Sequence, residues 1–256
     1  MDVKLLAHTA LSDEFYERIS RIWDDLSYNG STDGQAVALS AIRTCYSPGK
    51  PSEIVAKEGA RYFGSKATDG ESGTEADRLF RMIFRSKHLS TLEHLTYTFA
   101  VEGVSRALLA QLTRHRVGFS FSVQSQRYVK FGSGDKSGGF DYVTPESVSA
   151  SDKTLMGDDL EVYDANELFA KAMDDAQSNY DMLRKLGVPA EDARAVLPNA
   201  AACNLVMTVN LRSLLDFYAK RQKGRGGQHE ITQLSEELRK SVVAVEPWTD
   251  QFFAEV

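Results

Sequence analysis

Residues 95–128 read LTYTFAVEGVSRALLAQLTRHRVGFSFSVQSQRY, and the way they are parsed decides the fold. Leu95, Tyr97, Phe99 and Val101 alternate with Thr96, Thr98 and Ala100. That period of two predicts a strand with one buried face. From 104 to 114 the spacing changes. Leu108, Leu109 and Leu112 return at helical intervals, which predicts a helix over 104–114 with its leucines on the core. A second alternation, Leu205, Met207, Val209 and Leu211 against Val206, Thr208, Asn210 and Arg212, supplies another strand. Residues 2–9 read as a short first strand.

Helical patterns fill the space between. One covers 36–45, where Pro48 and Pro51 end or restart it. Thr74 and Asp77 form a helix-start pair before Leu79, Phe80, Ile83 and Phe84. A long helix carries Leu168, Phe169, Met173, Ala176, Tyr180 and Leu183, and Gly187 and Pro189 punctuate its end. Further helices are predicted over 213–222 and 229–243. Residues 12–35 read as a helical excursion and a loop, 64–77 as a flexible surface loop and 131–156 as loop-like. Neither repeats nor a linker are visible. The mixture predicts an α+β fold, a small antiparallel sheet packed with helices.

A chain of 256 residues that is 42% hydrophobic can bury a substantial core. No apolar run approaches the roughly 18–20 residues needed to cross a bilayer, and the first twenty residues lack signal-peptide character. Membrane association is therefore not expected. Cys45 and Cys203 are too few for a disulfide framework or a structural zinc site, which points to a reducing, cytoplasmic setting. A formal charge of −6 argues against general nucleic-acid binding. Any anion site must be local.

One local site stands out. No Asp or Glu occurs from Val104 to Gly134, yet Arg114, His115, Arg116 and Arg127 do. On the predicted helix, Gln111 and Arg114 lie three apart and share a face. A guanidinium matches phosphate through paired hydrogen bonds, and an amide matches a base edge or a sugar. Ser120, Ser122 and Ser125 add small donors. One arginine alone would be a solvated helix end, but an acid-free cluster predicts a phosphorylated, nucleotide-like ligand. In 88-HLSTLEH-94, His88, Glu93 and His94 match no common zinc spacing, so no metal site is expected. Asn210 and Arg212 would share a strand face. Arg212 with Asp216, and Asp216 with Lys220, are four apart, a spacing that also fits plain surface ion pairs.

Taken together, these groups resemble the flavin-dependent thymidylate synthases over about residues 36–232, in the family's order. The family signature, Arg-His-Arg, a spacer, Ser and then Arg-Tyr, is matched by RHR at 114–116, Ser125 and Arg127-Tyr128. Gln111-Leu112-Thr113-Arg114, His88 to His94, ARAVLP at 193–198 and NLRSLLDF at 210–217 also fit. The spacer here, residues 117–124, is one residue longer than usual, so its members receive no roles.

The resemblance implies a single domain over 1–256 with insertions at 12–35 and 64–76. It also implies reductive methylation of dUMP to dTMP, with methylenetetrahydrofolate as carbon donor and FAD reduced by NADPH as hydride source. A homotetramer with shared active sites is implied too. Gln111, Arg114, Ser125, Gln126, Arg127, Arg194 and Arg221 would cradle dUMP. Ser125 and Arg221 would serve catalysis, Ser125 by orienting or polarising the uracil without a covalent bond. His88, Ser90, Arg114, His115, Arg116, Asn210, Arg212 and Asp216 would contact FAD, although Asp216 stands where the family often has Asn. The cysteine-nucleophile route to the same product is disfavoured, because neither Cys45 nor Cys203 sits in a Pro-Cys-His setting and Cys203 reads as the start of a buried strand.

Two alternatives remain open on the residues. Phe119, Phe121 and Tyr128 among arginines could stack the bases of single-stranded nucleic acid. A flavoenzyme acting on another nucleotide would share the same cluster.

Overall fold

The computed structural model describes residues 1–156 and 162–256. Four antiparallel strands form the main sheet: β1 (Asp2–His8), β2 (Thr96–Ser105), β3 (Phe119–Val123) and β6 (Ala202–Asn210), in the order β1-β2-β6-β3. The expected α+β class is what the chain adopts. The two alternating runs pair with each other, Tyr97 opposite Val209 and Phe99 opposite Met207. This register buries Tyr97, Phe99, Val101, Cys203, Leu205, Met207 and Val209 on one face. On the other face the Thr98 and Thr208 hydroxyls meet at 2.9 Å.

Helices α1 (Asp13–Tyr28), α2 (Asp33–Tyr46), α3 (Ile54–Gly64) and α4 (Glu75–Arg85) precede β2. A short 3-10 segment, Leu89–His94, leads into it. Then come α5 (Arg106–Leu112), α6 (Glu146–Ser149), a hairpin of β4 (Thr154–Met156) and β5 (Val162–Asp164), α7 (Ala165–Lys185), α8 (Ala190–Ala193), α9 (Leu211–Arg221), α10 (His229–Val245) and α11 (Asp250–Glu255). The main core joins the buried sheet face to α1–α4 and α9–α11. Aromatic pairs tie it together, Trp23 with Phe63 at 5.6 Å, Phe80 with Trp248 at 4.6 Å and Phe84 with Phe252 at 4.8 Å. A smaller core of Phe131, Tyr180 and Ala193 anchors α7.

Several boundaries differ from the sequence reading, each for a local reason. Helix α5 is shorter than 104–114. Val104 and Ser105 still pair with Cys203 and Ala202, and the Ser105 hydroxyl then caps the helix by accepting from Leu108 N at 3.0 Å. At the other end Thr113 is the C-cap, so Arg114 lies beyond the helix and does not share a helical face with Gln111. Strand β6 stops at Asn210, whose side chain accepts from Ser213 N at 2.9 Å and starts α9. Arg212 is therefore helical and does not share a strand face with Asn210. Residues Leu89–His94 form a 3-10 turn with His88 as its N-cap.

Strand β3 and helix α3 were not anticipated, although FSFSV at 119–123 alternates as a strand should. The Thr74–Asp77 helix start is present as a reciprocal capping box. The loop before it is clasped by buried Arg81, which donates to Asp69 at 3.0 Å and to Ser72 O at 3.2 Å. Segment 12–35 is integral to the core through Ile19, Trp23 and Leu26. No helix among the described residues is long and apolar enough to cross a membrane.

Candidate active site

Helix α9 is the spine of the site. Its amphipathic sequence buries Leu211, Leu214, Leu215 and Phe217, leaves Arg212, Asp216 and Lys220 exposed and holds Arg221 half-buried. Asn210 at its start also meets the turn that carries the Arg-His-Arg motif, because Asn210 N donates to Gly118 O at 3.2 Å. Gly118 has φ +73°, and a Cβ there would lie 2.1 Å from Ser213 Oγ and 2.5 Å from Asn210 Nδ2. Only glycine lets the turn lie against the helix start.

Beyond that turn, His115 packs edge-on against Phe217 at 4.9 Å and near Phe119 at 6.1 Å. Arg221 Nε donates to His115 Nε2 at 3.2 Å. Burial, then the neighbouring charges of Arg221 and Lys220, hold the imidazole below the ordinary histidine range. Gln111 Nε2 donates to Gln228 Oε1 at 2.6 Å, which places the loop before α10 beside the same region. Gln111, His115 and Arg221 thus surround one locus.

A second locus lies after β3. The Ser125 hydroxyl oxygen accepts from Arg127 N at 3.1 Å. Arg127 then extends across the face of Tyr128, 5.5 Å from its ring, and pairs with the Glu191 carboxylate of α8. Arg194 Nε donates to Glu191 O at 2.9 Å. The segment that is acid-free along the chain is not acid-free in space. Glu191 joins two arginines far apart in sequence, and its place three residues before Arg194 was the available signal.

The third locus is the 3-10 turn against α9. His88 Nδ1 lies 2.8 Å from the Tyr46 hydroxyl. Arg212 pairs with Glu93, not with Asp216, while Asp216 accepts from Lys220 at 2.6 Å. Tyr46 and Glu93 are thus site neighbours that the sequence reading passed over, Glu93 having been weighed only as a metal ligand. Arg114 and Arg116 are exposed, and their side chains make no hydrogen bond or ion pair among the described residues. Ser90 is exposed and Gln126 half-buried.

Two sequence readings are settled by packing. Phe119 and Phe121 are stacked on each other at 5.7 Å and packed against the main core. Tyr128 is exposed beneath Arg127, so the three rings do not form one exposed stacking platform of the kind nucleic-acid binding uses. Cys203 is buried in β6, where burial pushes its thiol up, and Cys45 is exposed on α2.

A small antiparallel sheet packed with helices, with guanidinium, imidazole and hydroxyl groups on α9 and on the turns and loops that meet its neighbours, defines a mixed α+β protein equipped for anionic ligands. The family model described as thymidylate synthase complementing protein matches residues 27–248. The chain is 37% identical over 215 residues to the flavin-dependent thymidylate synthase of Geobacter sulfurreducens, covering 84% of this chain and 80% of that one. It is 33% identical over 229 residues to the enzyme of the same name from Clostridium tetani, covering 83% and 79%. The chain belongs to the flavin-dependent thymidylate synthase family.

Solved structures share its fold. A UMP/dUMP methylase from Streptomyces cacaoi, bound with 5-Br dUMP, superposes with a TM-score of 0.66 at 22% identity, covering 99% of this chain and 94% of that one. Thymidylate synthase X from Helicobacter pylori, with FAD and dUMP, gives 0.60 at 21% identity, covering 100% and 98%.

Proposed function

We propose that the chain reductively methylates dUMP to dTMP, taking carbon from methylenetetrahydrofolate and hydride from FAD reduced by NADPH, in the cytoplasm. The observation that carries this reading is the family match across most of the chain together with the arginines gathered beside α9 and α8. The donor set suits both phosphorylated ligands. Arg127, Arg194 and Arg221 offer guanidinium groups to dUMP, and Arg221 serves catalysis with Ser125. Arg114 and Arg116, unpaired among the described residues, and Arg212 offer theirs to the diphosphate of FAD. The flavin, when bound, supplies the hydride chemistry.

The chain's own residues bind and polarise. Ser125 Oγ accepts from Arg127 N, and its own proton has no acceptor among the described residues, so it can donate to the uracil. Attack through C5 of uracil builds negative charge on the ring carbonyls, and donors aimed there lower the barrier. The Gln111 amide is the second candidate donor, provided its bond to Gln228 opens. Ser125 orients and polarises without forming a covalent bond. His88 and Ser90, on the 3-10 turn, and Asn210 and Asp216, on α9, would border the flavin.

We also propose a homotetramer with shared active sites. The three loci lie open on the surface of one chain, with Arg114, Arg116, Arg127 and Arg212 all exposed. Burying such charges around a ligand requires further walls, which second copies supply. The whole chain acts as one domain, with insertions at 12–35 and 64–76.

Anaerobic incubation with dUMP, methylenetetrahydrofolate, NADPH and FAD should yield dTMP. A protein that binds no flavin and makes no dTMP refutes the reading. Arg127→Ala should raise KM for dUMP much more than that for FAD, and equal losses would count against the assignment. Mixing the impaired Arg127→Ala and Arg212→Ala chains should restore part of the activity each loses if sites are shared. A fully active monomer would exclude sharing.

A further inference from the structure

Resting on the reading of residues 125–127 as a dUMP-binding loop, we propose that Arg106 is a positioning residue that places Ser125 by holding the Gln124 carbonyl. Arg106 Nη2 donates to Gln124 O at 2.9 Å, across eighteen positions of the chain. Gln124 is the first residue after β3 and the last before Ser125. Its N–H is still held by β6, donating to Asn204 O at 2.8 Å. Its carbonyl is held by the guanidinium. The next bonds along the loop are internal, Arg127 N to Ser125 Oγ at 3.1 Å and Val129 N to Ser125 O at 2.9 Å. The Arg106 bond is therefore the tie that joins the start of this loop to the start of α5.

The other end of that tie is fixed. Arg106 N donates to Ala201 O and Ala107 N to Asn199 O, both at 3.0 Å. Ser105, buried, is clamped by Glu230 of α10, its N donating to Oε1 at 2.7 Å and its Oγ to Oε2 at 2.5 Å. Glu230 thus uses both carboxylate oxygens on Ser105. Among the described residues Arg106 has no ion pair, and its Nε is buried without a hydrogen-bond partner. Half-burying a guanidinium for one neutral acceptor is a poor way to stabilise a fold, because its desolvation is not offset by an opposite charge. It is a good way to hold one carbonyl still, because a charged donor makes the stronger bond. A displacement of about 1 Å at a reacting group can cost about a hundredfold in rate, so fixing the residue before Ser125 has catalytic value.

Three substitutions separate positioning from packing. Arg106→Met keeps an unbranched stem and offers no donor. Arg106→Lys keeps a charged donor. Arg106→Gln keeps a shorter, neutral one. Turnover and KM for dUMP are measured on FAD-saturated protein, and FAD affinity is measured by flavin fluorescence. Arg106→Met should lower kcat/KM for dUMP about tenfold, the scale of a lost hydrogen bond from a charged group, with FAD affinity within about twofold of the parent. Arg106→Lys should recover to within about threefold. Ser125→Ala removes the hydroxyl that the tie positions. In that background Arg106→Met should cost only about threefold, because two residues acting through one contact are not additive.

Equal losses for dUMP and FAD, an undiminished loss in the Ser125→Ala background, or no recovery in Arg106→Lys overturns the proposal. So does a parent-like Arg106→Met. If Arg106→Met does not fold, Arg106→Gln should show the dUMP-selective loss, and parent-like values there refute the idea. Should Ser125→Ala and Arg127→Ala both leave dUMP turnover and KM unchanged, the reading of the loop itself fails instead.

Discussion

Replacing Gly118 with alanine tests the contact that joins the Arg-His-Arg turn to α9. At φ +73° a Cβ carries the left-handed penalty of about 1–2 kcal/mol. It would also stand 2.1 Å from Ser213 Oγ and 2.5 Å from Asn210 Nδ2. Ser213 is buried, so it has little room to turn away. Displacing Asn210 removes the cap on Ser213 N, worth about 1 kcal/mol. The total loss should be about 2–4 kcal/mol. Gly224→Ala is the control, because its φ of +89° carries the same strain while nothing lies within 4 Å of its Cβ. Any gain from stiffening the unfolded chain is common to both variants and cancels. Urea unfolding followed by Trp23 and Trp248 fluorescence, at one fixed protein concentration, gives the two losses. Gly118→Ala should cost at least about 1 kcal/mol more than Gly224→Ala, the worth of the cap alone. Equal losses would show that the turn does not rest on the start of α9.

Other perturbations have equally direct outcomes. Gly34→Ala would put a Cβ 2.2 Å from Oε1 of buried Glu246, whose Oε2 accepts from Thr32 and Trp248, and should destabilise by about 2–4 kcal/mol in the same assay. Phe217→Ala empties the site's aromatic backing and should cost about 3–5 kcal/mol, with Arg221-dependent dUMP affinity falling as His115 loosens. Titration with a thiol reagent near pH 8 should detect one fast cysteine per folded chain, Cys45, and two in urea, because burial shields Cys203 and raises its thiol. Two fast thiols in the folded protein would contradict that burial. Acidification should destabilise through His115. Its imidazole is held down in the folded chain, so its contribution is present above the ordinary histidine range and fades as pH falls toward the folded value. His115→Gln should flatten that part of a stability–pH curve.

Much of this was legible along the chain. The alternation in 95–101 and 205–210 specified two strands, because a period of two can bury only one face of a sheet. The Thr74–Asp77 box specified a helix start, since its hydrogen bonds are local. The acid-free run and the separated motifs were likewise chemistry written in order. Strand β3 alternates just as clearly, yet five residues beside a charged motif are too short to separate from a turn until β6 pairs with them.

The ends of elements depended on competition that spacing does not display. Asn210 could continue a strand or cap a helix, and the cap prevailed, which moved Arg212 onto α9. Ser105 did the same for α5. Only the tertiary structure decided which partner each arginine has. The sequence by itself determined that arginines cluster in a run without acids along the chain and that helices cover a small sheet. Glu191, Glu93 and His115 reach Arg127, Arg212 and Arg221 across 64, 119 and 106 residues of separation. Such pairs are set by how the sheet and α9 pack, because a charge interacts through space and not along the chain.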